Sequence, residues 1–233
     1  MAVRADPPSL RIVAGEVETK SATTQLVIPT SSQPAWPPFV RVGETLSDRV
    51  RQFPAHTHEH HEVLTYVSEG FASYQLGTEP PERLVPGSAR LLTVPSRSAH
   101  RISPAQGGPI RWFNLVVTLP PTAQGESRLQ GSEAPSRPPE YDGTPVIRPL
   151  VGPKAPMASA AGLECRDITF VEPGTTFQRV GHERRGFVYV LSGRGTVDGH
   201  SVEMGEAALA DGVAGLAIHA LQDLRVITAT APR

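Results

Sequence analysis

From Phe39 to about Leu119 the chain is cut into short apolar runs separated by turn signals, and this pattern limits the fold more than any other feature. The runs are Val63–Val67, Ala72–Leu76, Ala89–Val94 and Ile110–Thr118, and the breaks are Glu69-Gly70, Pro86-Gly87 and Gly107-Gly108. Runs this short, rich in β-branched residues and bounded by Gly and Pro, predict strands of a sandwich or barrel. No segment keeps a long 3.6-residue apolar period, so few helices are expected. The 21 glycines and 24 prolines are spread along the chain, as many turns require.

A second series of runs follows: Leu163–Val171, Gly186–Leu191, Gly195–Val197, Ala207–Leu209, Gly215–Ile218 and Leu224–Thr228. Between the two series, Pro120 to Pro145 is rich in Pro, Ser, Gly and Glu and too poor in apolar residues to build a core. The halves echo one another. Phe53 to Gly70 and Phe177 to Gly193 each hold a polar, His-containing stretch, then an apolar strand with Tyr-Val, then a Gly turn. A duplicated β-barrel explains both the echo and the linker. The expected organisation is therefore an N-terminal barrel over residues 1–120, a linker over 121–145 and a C-terminal barrel over 146–233. Within residues 1–35, strands are expected at Leu10–Val13 and Gln25–Ile28.

Composition narrows the class of function. Hydrophobic residues make up 39% of the chain, enough for a packed core, and the net charge is −1 with no Lys/Arg block. Direct nucleic-acid binding by charge is therefore not expected. A single cysteine, Cys165, excludes an intrachain disulfide and fits a reducing compartment. It stands before Arg166 and Asp167 in an expected strand with no His nearby in sequence, and is read as a buried small hydrophobe. Met1 to Lys20 has no basic stretch followed by an apolar run, and no segment approaches the roughly 20 apolar residues of a membrane span. A cytoplasmic protein with no membrane partner is the expectation, with the oligomeric state left open.

Four of the eight histidines fall within His56-Thr57-His58-Glu59-His60-His61-Glu62. Side chains at i and i+2 of a strand share a face about 6–7 Å apart, so His56 and His58 can converge on one ion. A third ligand must come from a neighbouring strand, and His100, one hairpin further on, is the candidate. His60 and Glu62 have the same parity if the strand is regular. His61, of opposite parity, is expected to face solvent or the other side of the sheet. In the second half, His182 stands without a His-x-His partner, and His200 and His219 lie at no equivalent position. Gly193-Arg194-Gly195 is expected to be a hairpin turn, since no helix follows to make it a phosphate loop. No Gly-x-Ser-x-Gly elbow is present.

These residues carry a resemblance. Phe53-Pro54-Ala55-His56-Thr57-His58 followed by Glu62 to Gly70, then Pro86-Gly87, Leu92-Thr93, His100 and Trp112-Phe113-Asn114-Leu115, resembles the signature of the pirin family of bicupins. Gly186 to Gly193 is similar to that family's second barrel. The likeness runs from about Phe39 to Thr228 and is most specific over residues 53–115. It implies an all-β chain of two tandem cupin jelly-roll barrels, with a metal in the first and none in the second. Pirins use three His and a Glu standing two residues after the third His. His56, His58 and His100 match the three imidazoles, but Ile102 stands at the Glu position and cannot ligate.

Three outcomes fit that departure. Water could complete a three-His site, Glu62 or His60 could supply the fourth ligand, or the site could have weakened. Glu62 is the candidate general base or fourth ligand. The ion implied is divalent: Fe first, with Ni, Zn, Cu or Mn as alternatives, since imidazole suits several of them. The activity implied is that of a metal-dependent dioxygenase acting on an aromatic or flavonoid-like enol, with a small-molecule substrate. The alternative is a non-catalytic, metal-dependent module that binds a protein partner, and a third reading is a sugar isomerase or storage-type cupin. Loss of the carboxylate would leave the site more positive and favour an anionic substrate.

Overall fold

The computed structural model describes residues 8–19, 22–47, 53–105, 109–135 and 144–233. The Gly107-Gly108 break and residues 136–143 of the expected linker lie outside them. All regular structure among the described residues is strand. In chain order the strands are β1 (Ser9–Val13), β2 (Glu16–Thr19), β3 (Thr23–Ile28), β4 (Phe39–Ser47), β5 (His56–His58), β6 (His61–Glu69), β7 (Ala72–Leu76), β8 (Glu82–Leu84), β9 (Ala89–Val94) and β10 (Ser98–Pro104). They continue as β11 (Ile110–Thr118), β12 (Arg128–Ser132), β13 (Val146–Val151), β14 (Glu164–Phe170), β15 (Gly174–Arg179), β16 (Arg184–Val197), β17 (His200–Glu203), β18 (Ala207–Asp211) and β19 (Gly215–Pro232). No helix among them is long and apolar enough to cross a membrane.

The first barrel is a seven-stranded sheet, β12-β9-β6-β11-β4-β3-β2, closed by a four-stranded sheet, β5-β10-β7-β8. The second is an eight-stranded sheet ordered β1-β18-β16-β19-β14-β13, with β15 on β19 and β17 on β16. The two-barrel, all-β expectation therefore stands, and two details of the expected boundaries change. Strand β1 pairs with β18 from Ser9↔Asp211 to Val13↔Ala207, so the N-terminal strand completes the second barrel. Strand β12 lies inside the expected linker but pairs with β9, Arg128 opposite Thr93 and Ser132 opposite Ala89. Both are edge strands, whose backbone groups find partners wherever a sheet edge is open. Low local apolarity does not reveal such a strand.

The apolar runs are continuous because sheets in this fold are buried on both faces. In β6, Val63 joins Leu92, Val94 and Val116 inside the first barrel, while Leu64 and Tyr66 face the other barrel. That seam gathers Phe113, Leu115, Phe187, Tyr189 and Ile227 into one cluster, with the Phe113 and Tyr189 rings 5.3 Å apart. At about 1.5–3 kcal/mol for each fully buried large side chain, the seam binds the barrels into one body.

The two interiors differ. The second barrel is filled by one cluster that includes Ile168, Val188, Val190, Leu216, Ile218 and Val226. The first holds two small clusters, Val63/Leu92/Val94/Val116 and one around Tyr74, Ile102 and Trp112, with a cleft between them. Gly193-Arg194-Gly195 forms no hairpin turn. Strand β16 runs through it with register shifts between Val190 and Ser192 and between Gly193 and Gly195. Gly193 has φ 82° and lies so close to the Asp223 carbonyl that a Cβ would collide with it, so a bulge demands glycine there.

Candidate metal centre

Strand β5 is only three residues long, and its pairing with β10 builds the site. His56 lies opposite His100 and His58 opposite Ser98. The ring centroids of His56, His58 and His100 are 4.4 to 5.1 Å apart. Nε2 of His58 stands 3.2 Å from Nε2 of His100, and one nitrogen from each of the three rings lies within 4.8 Å of the others. Two ligands at about 2.1 Å from a common ion are separated by roughly 3 to 4.2 Å, so these imidazoles need little movement to share one. Among the described residues, no other group of three or more His, Cys, Asp or Glu is arranged to hold an ion.

Electrostatics keeps the rings in the ligating form. His100 is 1% exposed, and its pKa is pushed down to about 3 by burial and then by the neighbouring His56 and His58. That of His58 falls to about 4, from burial first and then His56, His61 and Arg41. His56 is lowered chiefly by burial, partly opposed by a backbone hydrogen bond at Pro54. Three neutral imidazoles crowded this closely direct nitrogen lone pairs into one small space, which a divalent cation would satisfy. His100 Nδ1 is buried with no hydrogen-bond partner. The donor set therefore fits an imidazole-bound divalent ion.

The remaining expected residues are distributed otherwise. A turn at Glu59-His60 separates β5 from β6, with His60 in the left-handed region at φ 55°. His60 is exposed beside Glu59, 3.9 Å away. This turn resets the strand parity, so position 62 points away from the interior and positions 61 and 63 point into it. Glu62 is fully buried on the far side. Its Oε1 accepts from Thr93 Oγ1 (2.8 Å) and Ala160 N (2.8 Å), and its Oε2 accepts from Ser159 Oγ and Ala161 N (3.3 Å). Expected as fourth ligand or base, Glu62 instead anchors the Ser159–Ala161 segment, and neither its carboxylate nor His60 joins the trio. His61, expected to face away, lies beside His58 with ring centroids 6.0 Å apart. Ile102 is 5% exposed, two residues from His100 on the same face of β10, and lines the cleft.

The cleft has a volume of about 620 Å³. His56 and His58 stand in its wall with Phe53, Trp112, Ile102 and Val63, and Arg41, Glu18 and Asn114 add polarity. The Phe53 and Trp112 rings meet edge to face at 5.7 Å. Sequence reasoning missed Arg41. A signal existed: an arginine between Val40 and Val42 in a strand sits where the interior parity falls. For Ser159–Ala161 the only signal is a run of small residues from Ala158 to Gly162, which permits close backbone approach but does not name a partner.

Comparison with solved structures matches this architecture along nearly the whole chain. A protein from Geobacillus kaustophilus is similar with a TM-score of 0.84 and 22% identity, covering 98% of each chain. A bacterial pirin from Escherichia coli, solved in complex with nickel(II), gives a TM-score of 0.82 and 13% identity over 96% of this chain and 99% of its own. The fold is that of the pirin bicupins. A quercetin 2,3-dioxygenase from Acinetobacter baumannii shares it with a TM-score of 0.78 and 16% identity, over 95% of this chain and 85% of that one. No protein-family model matches the sequence, and no curated protein does. At these identities the likeness establishes the pirin-type bicupin fold, and the chemistry must be argued from the site.

Proposed function

We propose that the first barrel binds a divalent metal ion through His56, His58 and His100, and that the bound form is a dioxygenase for an aromatic, enol-containing small molecule. The observation that carries this reading is the convergence of three neutral imidazoles, two of which, His56 and His58, stand in the wall of a cleft of about 620 Å³. A nickel-bound pirin and a quercetin dioxygenase of the same fold support it. Iron remains the first expectation for the ion, with nickel, zinc, copper and manganese as alternatives.

When bound, the ion would supply Lewis acidity and, if redox-active, a site for oxygen. The chain does the rest. His56, His58 and His100 would hold the ion through their ring nitrogens, beside the cleft that His56 and His58 line. Ile102 contributes no charge where pirins carry a carboxylate, so the site keeps the full charge of the ion and favours an anionic enolate. Phe53 and Trp112, set edge to face, offer apolar aromatic surface against which a ring can pack. The cleft size suits a small molecule better than a protein partner, whose contact would need a larger surface.

The test is metal analysis of untagged protein purified without chelator, followed by oxygen uptake with flavonols and smaller enols. One equivalent of metal that is lost in His58→Ala and His100→Ala, with uptake only in metallated protein, is the expected result. Failure to take up metal on reconstitution removes the whole reading. Metal without turnover leaves the non-catalytic, partner-binding alternative.

A further inference from the structure

We propose that a cavity at the seam between the barrels, separate from the histidine cleft, is a second binding site, for a small aromatic monocarboxylate. The cavity holds about 650 Å³ and is walled by both halves of the chain. Tyr66 and Pro86 come from the first barrel, Ile147, Arg148 and Pro149 from β13, and Asp167 and Arg225 from the core of the second sheet.

Its polar end is built from buried Tyr66 and Asp167 and half-buried Arg225 and Arg148. Arg225 donates from Nε to Asp167 Oδ1 (3.1 Å) and from Nη2 to Asp167 Oδ2 (2.9 Å) and to the Tyr66 hydroxyl. Tyr66 in turn donates to Asp167 Oδ2 at 2.6 Å. This fork uses one edge of the guanidinium, and Nη1 makes no hydrogen bond to a described residue. Arg148 is the second cation. Its bonds to the described residues go to neutral oxygens: the Gly87 and Glu133 carbonyls and the Ser132 hydroxyl (3.0 Å). Gly87, at φ 90°, allows the approach, since a Cβ there would meet Arg148 at 3.2 Å.

Charge and shape then name the ligand class. Two guanidinium groups face one carboxylate among the described lining residues, so these carry one net positive charge. One carboxylate on the ligand would balance it. A dianion would overcompensate, and a cation would add to the excess. Apart from Ser68 and Thr169, the remaining wall is apolar: prolines 86, 135 and 149, with Val146, Ile147 and Ala134. Flat pyrrolidine and aliphatic faces suit an aromatic ring, and Ile147, 43% exposed at the rim, leaves apolar surface for it to cover.

The test uses the full, untagged chain with 2-naphthoate as probe and its neutral amide as control. Calorimetry gives affinities, and isoleucine-methyl NMR locates the bound probe. Naphthoate should shift the Ile147 methyl and bind with a Kd of about 1 mM or tighter, and the amide should bind at least about tenfold more weakly. Ile147→Glu changes an exposed position, so it should fold normally and weaken naphthoate by about tenfold or more by placing a carboxylate at the mouth. Arg148→Met should abolish the preference for acid over amide. A His58→Ala/His100→Ala double variant should bind naphthoate as the parent does, which separates this site from the metal cleft. Three results would each overturn the proposal: no Ile147 shift at saturating probe, equal binding of acid and amide, or loss of the Ile147 shift in the histidine double variant.

Discussion

Glu44 is the residue whose titration should show most clearly in the stability of the protein. It lies on β4 facing the seam, 5% exposed, with Ser68 Oγ donating to Oε1 at 3.1 Å and Arg111 Nε 3.4 Å from Oε2. Burial pushes its pKa from the ordinary 4.5 up to about 7 and outweighs the attraction of Arg111, whose charge is shared with Glu69 at 3.3 Å. The folded state therefore holds a proton that the unfolded state releases above pH 4.5. Stability attributable to Glu44 is full below pH 4.5, falls as pH rises, and is fully lost above about 7. At 1.36 kcal/mol per pH unit, the displacement is worth about 3 kcal/mol. Glu44→Gln keeps the shape and removes the titration. In urea unfolding from pH 4 to 8 the variant should match the parent at the acid end and exceed it by about 3 kcal/mol above pH 7. Taking the difference between the two proteins cancels the histidines and every other group. A flat difference curve would refute the reasoning, as would a variant that loses ground with rising pH, because Arg111 would then hold Glu44 ionised in the fold.

Three further outcomes are expected. Ile102→Glu places a carboxylate on the face of β10 that carries His100. Without metal it should cost about 3 kcal/mol or more through lost apolar burial and a desolvated acid, while nickel or zinc affinity should rise by at least about tenfold; unchanged affinity in calorimetry would show that position 102 does not reach the ion. Glu62→Ala strips the acceptor from Thr93, Ser159, Ala160 and Ala161. It should lower stability by about 2–4 kcal/mol with metal content unchanged, and metal loss from a stably folded variant would restore Glu62 to the site. The depressed His58 and His100 keep metal-free folded protein neutral there while the unfolded chain takes up protons. Stability should therefore decline as pH falls from 6.5 toward 4, and less so in a His58→Gln/His100→Gln variant, as thermal unfolding across that range will show.

Local sequence determined much of this protein. Short apolar runs with β-branched residues and Gly or Pro breaks specify strands, because those signals act within one strand and its turn. The repeat of the pattern specified two barrels, and the His-x-His spacing specified two rings on one face of β5. The third ring followed from the resemblance at His100, which also set Ile102 at the position where pirins carry a Glu. Contacts distant in sequence were decided only by the tertiary structure. A one-residue change of parity at Glu59-His60 turned Glu62 from the cleft to the Ser159–Ala161 segment and brought His61 beside His58, since side-chain direction in a strand reverses with each residue. Strand β1 joined the opposite barrel and β12 formed within a polar stretch, because edge pairing depends on which backbone groups are left open rather than on composition. The Asp167–Arg225–Tyr66 network joins residues from both barrels, and nothing local marks them as partners. Strand and turn chemistry is written in neighbouring residues, whereas the burial that neutralises the histidines needs the first barrel's strands to pair, and the burial that tunes Glu44 and the cavity at the seam exist only once the two barrels close on one another.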